Sequence, residues 1–250
     1  FDLAAGLRVE LARAAAGRLA DPRLERWSID EAQLALERLA RPDDLRVVRL
    51  LTARGRFAAQ DGDLDAALAA HREAHALAEG RLDDRAQVAL LRVGIGTALY
   101  GLGKLKEARV EFEQSLDVLD AEWGPGTFES GRLDFNLAMI ATDLDDFDVA
   151  EWHLESAIAI DEATWGGASI EVARDRFAGA YLAFARGEIA EGCVIVDEVK
   201  AIYEDVLGPV HDETAAALTA ASLCRFYEGD FLAALAGYQR ALAVQTGLLG

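Results

Sequence analysis

The sequence predicts an all-α fold, a solenoid of antiparallel helix pairs stacked one on the next. Three observations carry that reading. Four Gly-ended pairs, Trp123-Gly124, Trp165-Gly166, Leu207-Gly208 and Leu249-Gly250, recur at a step of 42 residues. A second column, of turn residues, keeps nearly the same step: Gly62, Gly103, Asp145, Gly187 and Gly229 are separated by 41, 42, 42 and 42. Ala and Leu dominate and Pro occurs only 4 times, which is a helical bias. A period of roughly 20–50 residues marks units that cannot bury their own apolar faces and lean on their neighbours.

In chain order, residues 1–44 read as an N-terminal helical pair, a cap or connector. Leu3, Leu7, Leu11 and Leu19 lie near one face of a helix over 2–19. Ser28-Ile29-Asp30-Glu31 has the Ser-x-x-Glu spacing of a capping box for a helix over 28–40. Asp21-Pro22 and Pro42 break the chain on either side. Five units follow at 45–82, 83–124, 125–166, 167–208 and 209–250. Each is expected to be two helices of four to five turns. The turn residue between them needs a positive φ, which Gly supplies freely and Asp at modest cost. Two residues after it stands an apolar anchor: Leu64, Leu105, Phe147, Ile189, Phe231. Five after it stands a small residue (Ala67, Ala108, Ala150, Gly192, Ala234), and seven before it another (Gly55, Gly96, Ala138, Ala180, Ser222). Small residues in both columns let two backbones approach closely; bulk in either would overpack, at about 1–3 kcal/mol per site.

The spacing small residue, turn Gly, Ala, then a larger residue four on resembles the tetratricopeptide repeat. Its Ala-x3-Phe element reads here Ala67/His71, Ala108/Phe112, Ala150/Leu154, Gly192/Val196 and Ala234/Tyr238. The 42-residue step is similar to the longer variant in kinesin light chains and many bacterial signalling proteins. Leu207-Gly208-Pro209-Val210-His211-Asp212-Glu213-Thr214 is similar to that family's inter-repeat segment. The resemblance covers about 45–250. It implies a right-handed superhelix with first helices on the concave face and second helices on the convex face. It also implies a non-enzymatic module that holds a protein or peptide segment in the concave groove. An alternative under the same resemblance is a regulatory or spacer region of a bacterial Ser/Thr kinase or signalling ATPase. The missing initiator Met and the end at Gly250 fit a piece of a longer multidomain protein.

Charge narrows the partners. The chain carries 25 basic and 44 acidic residues, a net charge of −19. Residues 1–60 are near balance, so the rest is strongly acidic. Such a surface repels phosphate backbones, which argues against nucleic acid and against anionic membrane. No apolar run approaches the ~18–20 residues of a membrane span. The excess of Arg over Lys fits a GC-rich bacterial genome. Cys193 and Cys224 are expected as two reduced, buried thiols, with a disulfide as the alternative; from that follows a reducing, cytoplasmic compartment.

No catalytic constellation emerges: there is no Gly-x-Ser-x-Gly, no phosphate-cradling Gly loop and no Cys-x-x-Cys. No cofactor and no metal are expected. His71 and His75 have the i, i+4 spacing of a metal pair but no third ligand, and read as partly buried structural histidines. Asp61-x-Asp63-x-Asp65 starts like a calcium loop, yet Ala66 and Arg72 stand where Gly and Glu belong, so these read as helix stops and N-caps.

In tetratricopeptide units the groove is lined from 13, 10, 6, 3 and 2 residues before the turn residue. On this chain the resemblance implies a groove of Arg56, Tyr100, Arg132, Phe135, Met139, Arg174, Phe177, Tyr181, Phe184, Phe226 and Tyr227. Aromatics and Arg are the types that anchor interfaces, and aromatics three and ten before the turn can instead pack between first helices. Kinesin light chains hold peptide backbone with an Asn ladder. Only Asn136 matches it here, so side-chain pockets are the expected mode. Self-association through an open C-terminal repeat, along Phe231, Leu235, Tyr238, Leu242, Val244, Leu248 and Leu249, is a third expectation.

Overall fold

The computed structural model describes residues 45–247 together with 27, 29–31, 33 and 34. The expected pair over 1–44, Ser28 of its capping box included, otherwise lies outside the described residues, as do Leu248 and Leu249. Residues 45–247 form ten helices joined in pairs by tight turns. These are α1 (Leu45–Gln60) with α2 (Leu64–Ala78), and α3 (Arg85–Gly101) with α4 (Leu105–Trp123). Then come α5 (Phe128–Asp143) with α6 (Phe147–Trp165), α7 (Ile170–Arg186) with α8 (Ile189–Val206), and α9 (Asp212–Tyr227) with α10 (Phe231–Gln245).

The chain divides into two compact units, Phe1–Pro125 and Gly126–Gly250. In the first, α2 packs on α3 and α1 also reaches α3. In the second, α6 packs on α7 and α8 on α9, and α5 reaches α7. Within each unit, then, the second helix of a pair lies against both its own partner and the first helix of the next pair. First helices of neighbouring pairs meet as well. The architecture inside each unit is a stack of hairpins, with no single centre.

Local chemistry explains the helix starts. Asp63, Asp84, Thr127, Ser169 and Asp230 each accept a backbone N–H from three residues on, at 3.0–3.3 Å. Each bond satisfies a donor that the helix itself leaves open. The calcium-like run at 61–65 resolves into this role: Asp63 caps α2, and Asp65 sits in its first turn, where the helix dipole favours an acid.

The turn column behaves as read. Asp145 takes φ 59°, and among the described residues it is the only non-Gly with positive φ. The 42-residue Trp-Gly column has a stricter cause. Gly124 (φ 86°, ψ 156°) and Gly166 (φ 87°, ψ 152°) occupy a region open essentially to Gly alone. Trp165, just before Gly166, packs edge-on against Phe128, 6.0 Å between centroids. Leu207 joins Ile170 in the equivalent cluster of the next pair. In these two pairs the end of the second helix therefore closes on the start of its own first helix.

The small columns are closed contacts. Ala67, Ala108 and Ala150 are 0 % exposed. A Cβ at Gly96 would lie 2.7 Å from the Phe112 ring. Gly192 breaks the Ala column because Phe184 fills its space: a Cβ there would meet that ring at 2.4 Å. Polar pairs also repeat by column. Arg92 and Glu111, 2.8 Å apart, occupy the positions eleven before and eight after their turn residue. In the next pair the same positions hold Asp134 and His153, Oδ1 to Nδ1 2.8 Å, and Ser156 donates its hydroxyl to the other Asp134 oxygen at 2.5 Å.

One expectation is corrected. Cys193 on α8 and Cys224 on α9 form a disulfide, Cα–Cα 5.6 Å, across 31 residues of sequence. They are not two reduced thiols, and the reducing compartment inferred from them loses its basis. Composition pointed away from a bond that a helical array does not need. The repeat register holds the missing signal: the thiols stand six after one turn residue and five before the next, on helices packed together.

Candidate functional site

The first-helix face sorts the five columns into two kinds. Residues 13, 6 and 2 before the turn are open to solvent in most pairs: Arg49, Arg56 and Gln60; Thr97 and Gly101; Arg132 and Asp143; Arg174, Tyr181 and Ala185; Ala216, Leu223 and Tyr227. Residues 10 and 3 before it mostly pack between helices. Phe135 lies against the cluster of Ala138, Leu154, Ala178 and Leu182, and so does Met139, which stands six before its turn and is the half-buried exception in that column. Phe177 and Phe184 lie against Ala180, Val196 and Ala221. Asn136 and Tyr100 are half-buried. The half-buried rings support the face, and the open columns form its surface.

Each unit presents its own stretch. In the first, Arg49 and Arg56 are exposed and Tyr100 is half-buried. The second is richer. Tyr181 is 45 % exposed, Phe226 51 % and Tyr227 60 %, large rings left in water. Phe226 meets Tyr227 edge-on at 6.1 Å and Phe231 at 5.3 Å, an aromatic knot at the α9–α10 turn. The Tyr181 hydroxyl donates to Asp143 Oδ1 at 2.8 Å. That bond, aided by burial and by the Asp143 charge, raises the phenol pKa. Arg132 stands over the Phe128 ring at 5.9 Å, and Arg174 reaches Glu213 at 3.1 Å. Both cations are on the open side, where a surface pair is worth little and can be exchanged for another carboxylate.

Leu223, read in the groove columns, is exposed beside these rings. The exposed apolar series Phe231, Leu232, Leu235 and Leu242 lies on α10. Among the described residues no group of three or more His, Cys, Asp or Glu could hold a metal ion, and no helix is long and apolar enough to cross a membrane. His71 is instead wedged between two backbones: a Cβ at Gly55 would lie 2.5 Å from its Nε2, and one at Gly94 2.4 Å from its Nδ1. Burial, helped by Arg56, lowers its pKa. His75 is lowered by burial and Arg92 against the opposing pull of Glu79 and Glu111, and its Nε2 is buried without a partner. It lines a cavity of about 240 Å³ with Arg85, Arg92, Leu82 and Val118.

Paired helices with small residues at the crossing, positive-φ turns and an open first-helix face define a class, the α-solenoid of antiparallel helix pairs. Residues 46–121 match the family model described as tetratricopeptide repeat. Solved structures share the fold over most of the chain. BtubC (BKLC) from P. vanneervenii matches 97 % of this chain and 92 % of its own, at 20 % identity and TM-score 0.69. A putative kinesin light chain with nearly identical TPR-like repeats from Podosopora anserina matches 81 % and 97 %, at 17 % identity and TM-score 0.63. The Rap conjugation gene regulator of plasmid pLS20, in complex with the Phr* peptide, matches 98 % and 75 %, at 10 % identity and TM-score 0.71. At these identities the likeness is one of fold. No curated protein matches the sequence.

Proposed function

We propose that the chain is a non-enzymatic binding module whose second unit holds a protein or peptide segment along its first-helix face. The observation that carries this is the exposure of Tyr181, Leu223, Phe226 and Tyr227 beside Arg132 and Arg174. Such rings have a large contact area and little conformational freedom to lose, which suits an interface centre. The two guanidinium groups would take carboxylates by displacing Glu213 and leaving the Phe128 ring. The chemistry fits a segment with apolar side chains flanked by Asp or Glu. A lone Asn136 favours recognition of side chains over clamping of the backbone. The peptide held by the Rap regulator of pLS20 supports the reading by analogy of fold alone.

The test is selection of short peptides on the full chain, followed by fluorescence anisotropy with a selected peptide. Tyr181→Ala combined with Tyr227→Ala removes two exposed rings that the packed clusters do not need. The expected result is a loss of affinity of about tenfold or more with unchanged helicity, the scale of an interface hot spot. Unchanged affinity removes this face from the account.

A further inference from the structure

Wherever two pairs join within a unit, the residue sixteen after one turn falls at the same seam as the residue twelve before the next. At the α2–α3 junction these are Ala78 and Leu91, in one apolar cluster. At the α8–α9 junction they are Tyr203 and Ala217, in another. At the α6–α7 junction the same two positions hold Asp161 and Asp175. The two carboxyls lie close enough to share a hydrogen bond. Asp175 is 3 % exposed, and its Oδ2 is buried with no partner. Two ionised carboxylates in such contact repel, whereas one proton between them turns repulsion into a hydrogen bond.

The neighbouring charges do not relieve this. On α7, Glu171 adds a further negative charge and Arg174 is the opposing cation. Arg174 also pairs with Glu213 of α9 at 3.1 Å. On α6, Glu162 is held by Arg176 of α7 at 3.0 Å. On α8, the Tyr203 phenol is pushed up to about 12, first by burial and then by Glu213, so it stays neutral. On the same helix Lys200 is paired with Glu204 at 2.9 Å.

We propose that Asp161 and Asp175 form a proton-operated joint between α6 and α7, closed by one shared proton and loosened when that proton leaves. Burial first, and then the Asp161 charge, push the Asp175 carboxyl up to about 7. Asp161 is raised as well, by burial and then Glu171, against Arg174 and the bond to Asp175. The sign follows from proton counting. Between the ordinary value of 3.8 and about 7 the folded chain binds more protons than the unfolded chain, so stability falls as pH rises through that window and levels off above it. The device operates near neutrality, on the helix that also carries Arg174 and Tyr181.

The test uses the full chain. A carbon-detected NMR titration of the aspartate carboxyls should show Asp175 with a midpoint near 7; a midpoint below 5 overturns the proposal. Thermal unfolding at pH 6.5 and 8.5, clear of the acid range in which His71 and His75 destabilise the first unit, should show the lower midpoint at 8.5. Asp175→Asn should shrink that difference by at least half, whereas exposed Asp205→Asn, a control for net charge, should leave it. Equal pH dependence in wild type and Asp175→Asn overturns the joint. Should Asp175→Asn not fold, Asp161→Leu with Asp175→Leu restores the apolar contact of the other junctions and should give the same flattening.

Discussion

The two units share one construction, and the ionisable side chains whose pKa burial displaces are bases in the first and acids in the second. In the first, His71 and His75 sit among helices with their pKa lowered, mainly by burial, so the neutral ring is the folded form. In the second, Asp161 and Asp175 sit at a seam with theirs raised, again mainly by burial, so a protonated carboxyl is the folded form. One physical cause acts on a base and on an acid, and the linkage signs are opposite. The first unit loses stability as pH falls below 6.5, where the unfolded imidazoles take up protons that the folded ones refuse. The second loses it as pH rises towards 7. A repeat scaffold fixes where side chains meet, and the identity of each meeting pair then sets how that part of the stack responds to its surroundings.

The contrast can be broken most strongly at the disulfide, which only the second unit carries. Reduction, or Cys193→Ser with Cys224→Ser, releases a loop of 31 residues and should cost about 3–4 kcal/mol by the chain-entropy relation. Urea unfolding measures the loss. Hydrogen exchange should rise in α8 and α9 while α1 to α4 stay protected. Exchange that rises equally in both units would mean that the bond does not act on its own unit.

A smaller effect is expected where the first unit is tightest. Gly94→Ala drives a methyl into the His71 ring, which Gly55 blocks from retreating, and should cost about 1–3 kcal/mol. Adding His71→Ala should recover much of it, because the clash partner is gone. A double variant less stable than Gly94→Ala alone would show that the ring is not what the glycine accommodates. The smallest effect belongs to a turn. Asp145→Gly relieves the positive φ of 59° and should stabilise by up to about 1 kcal/mol, read as a rise in the denaturation midpoint of the second unit. No gain would show that Asp145 repays its conformation by other contacts.

Much of the scaffold is legible in the chain because its causes are local. Gly62, Gly103, Gly187 and Gly229 announce their turns, and Asp145 completes the column although it is not Gly. Ala67, Ala108 and Ala150 announce the helix crossings. The groove is harder to read. Phe135, Phe177 and Phe184 share the heptad-like register of Tyr181 and Phe226, yet they support the face from between helices. Arg and aromatic residues in the right columns identify the surface; the distance to the neighbouring first helix decides which rings are left in water. Asp161 and Asp175 do carry a signal, since each is a charge in a column that is otherwise mostly apolar: Ala78, Leu119 and Tyr203 for one, Leu50, Leu91, Leu133 and Ala217 for the other. That signal becomes a joint only when the two columns are known to meet.

By itself the sequence determined the fold class, the pairing of helices across each turn and the closeness of their crossings. Backbone dihedrals and side-chain volume act within a few residues and leave their mark in the local order of the chain. Tertiary structure alone decided that Cys193 bonds Cys224, that Asp161 faces Asp175, and that Tyr181, Phe226 and Tyr227 stand open. Those outcomes depend on contacts between separate hairpins, where burial and the proximity of like groups change the chemistry of residues whose types were already known.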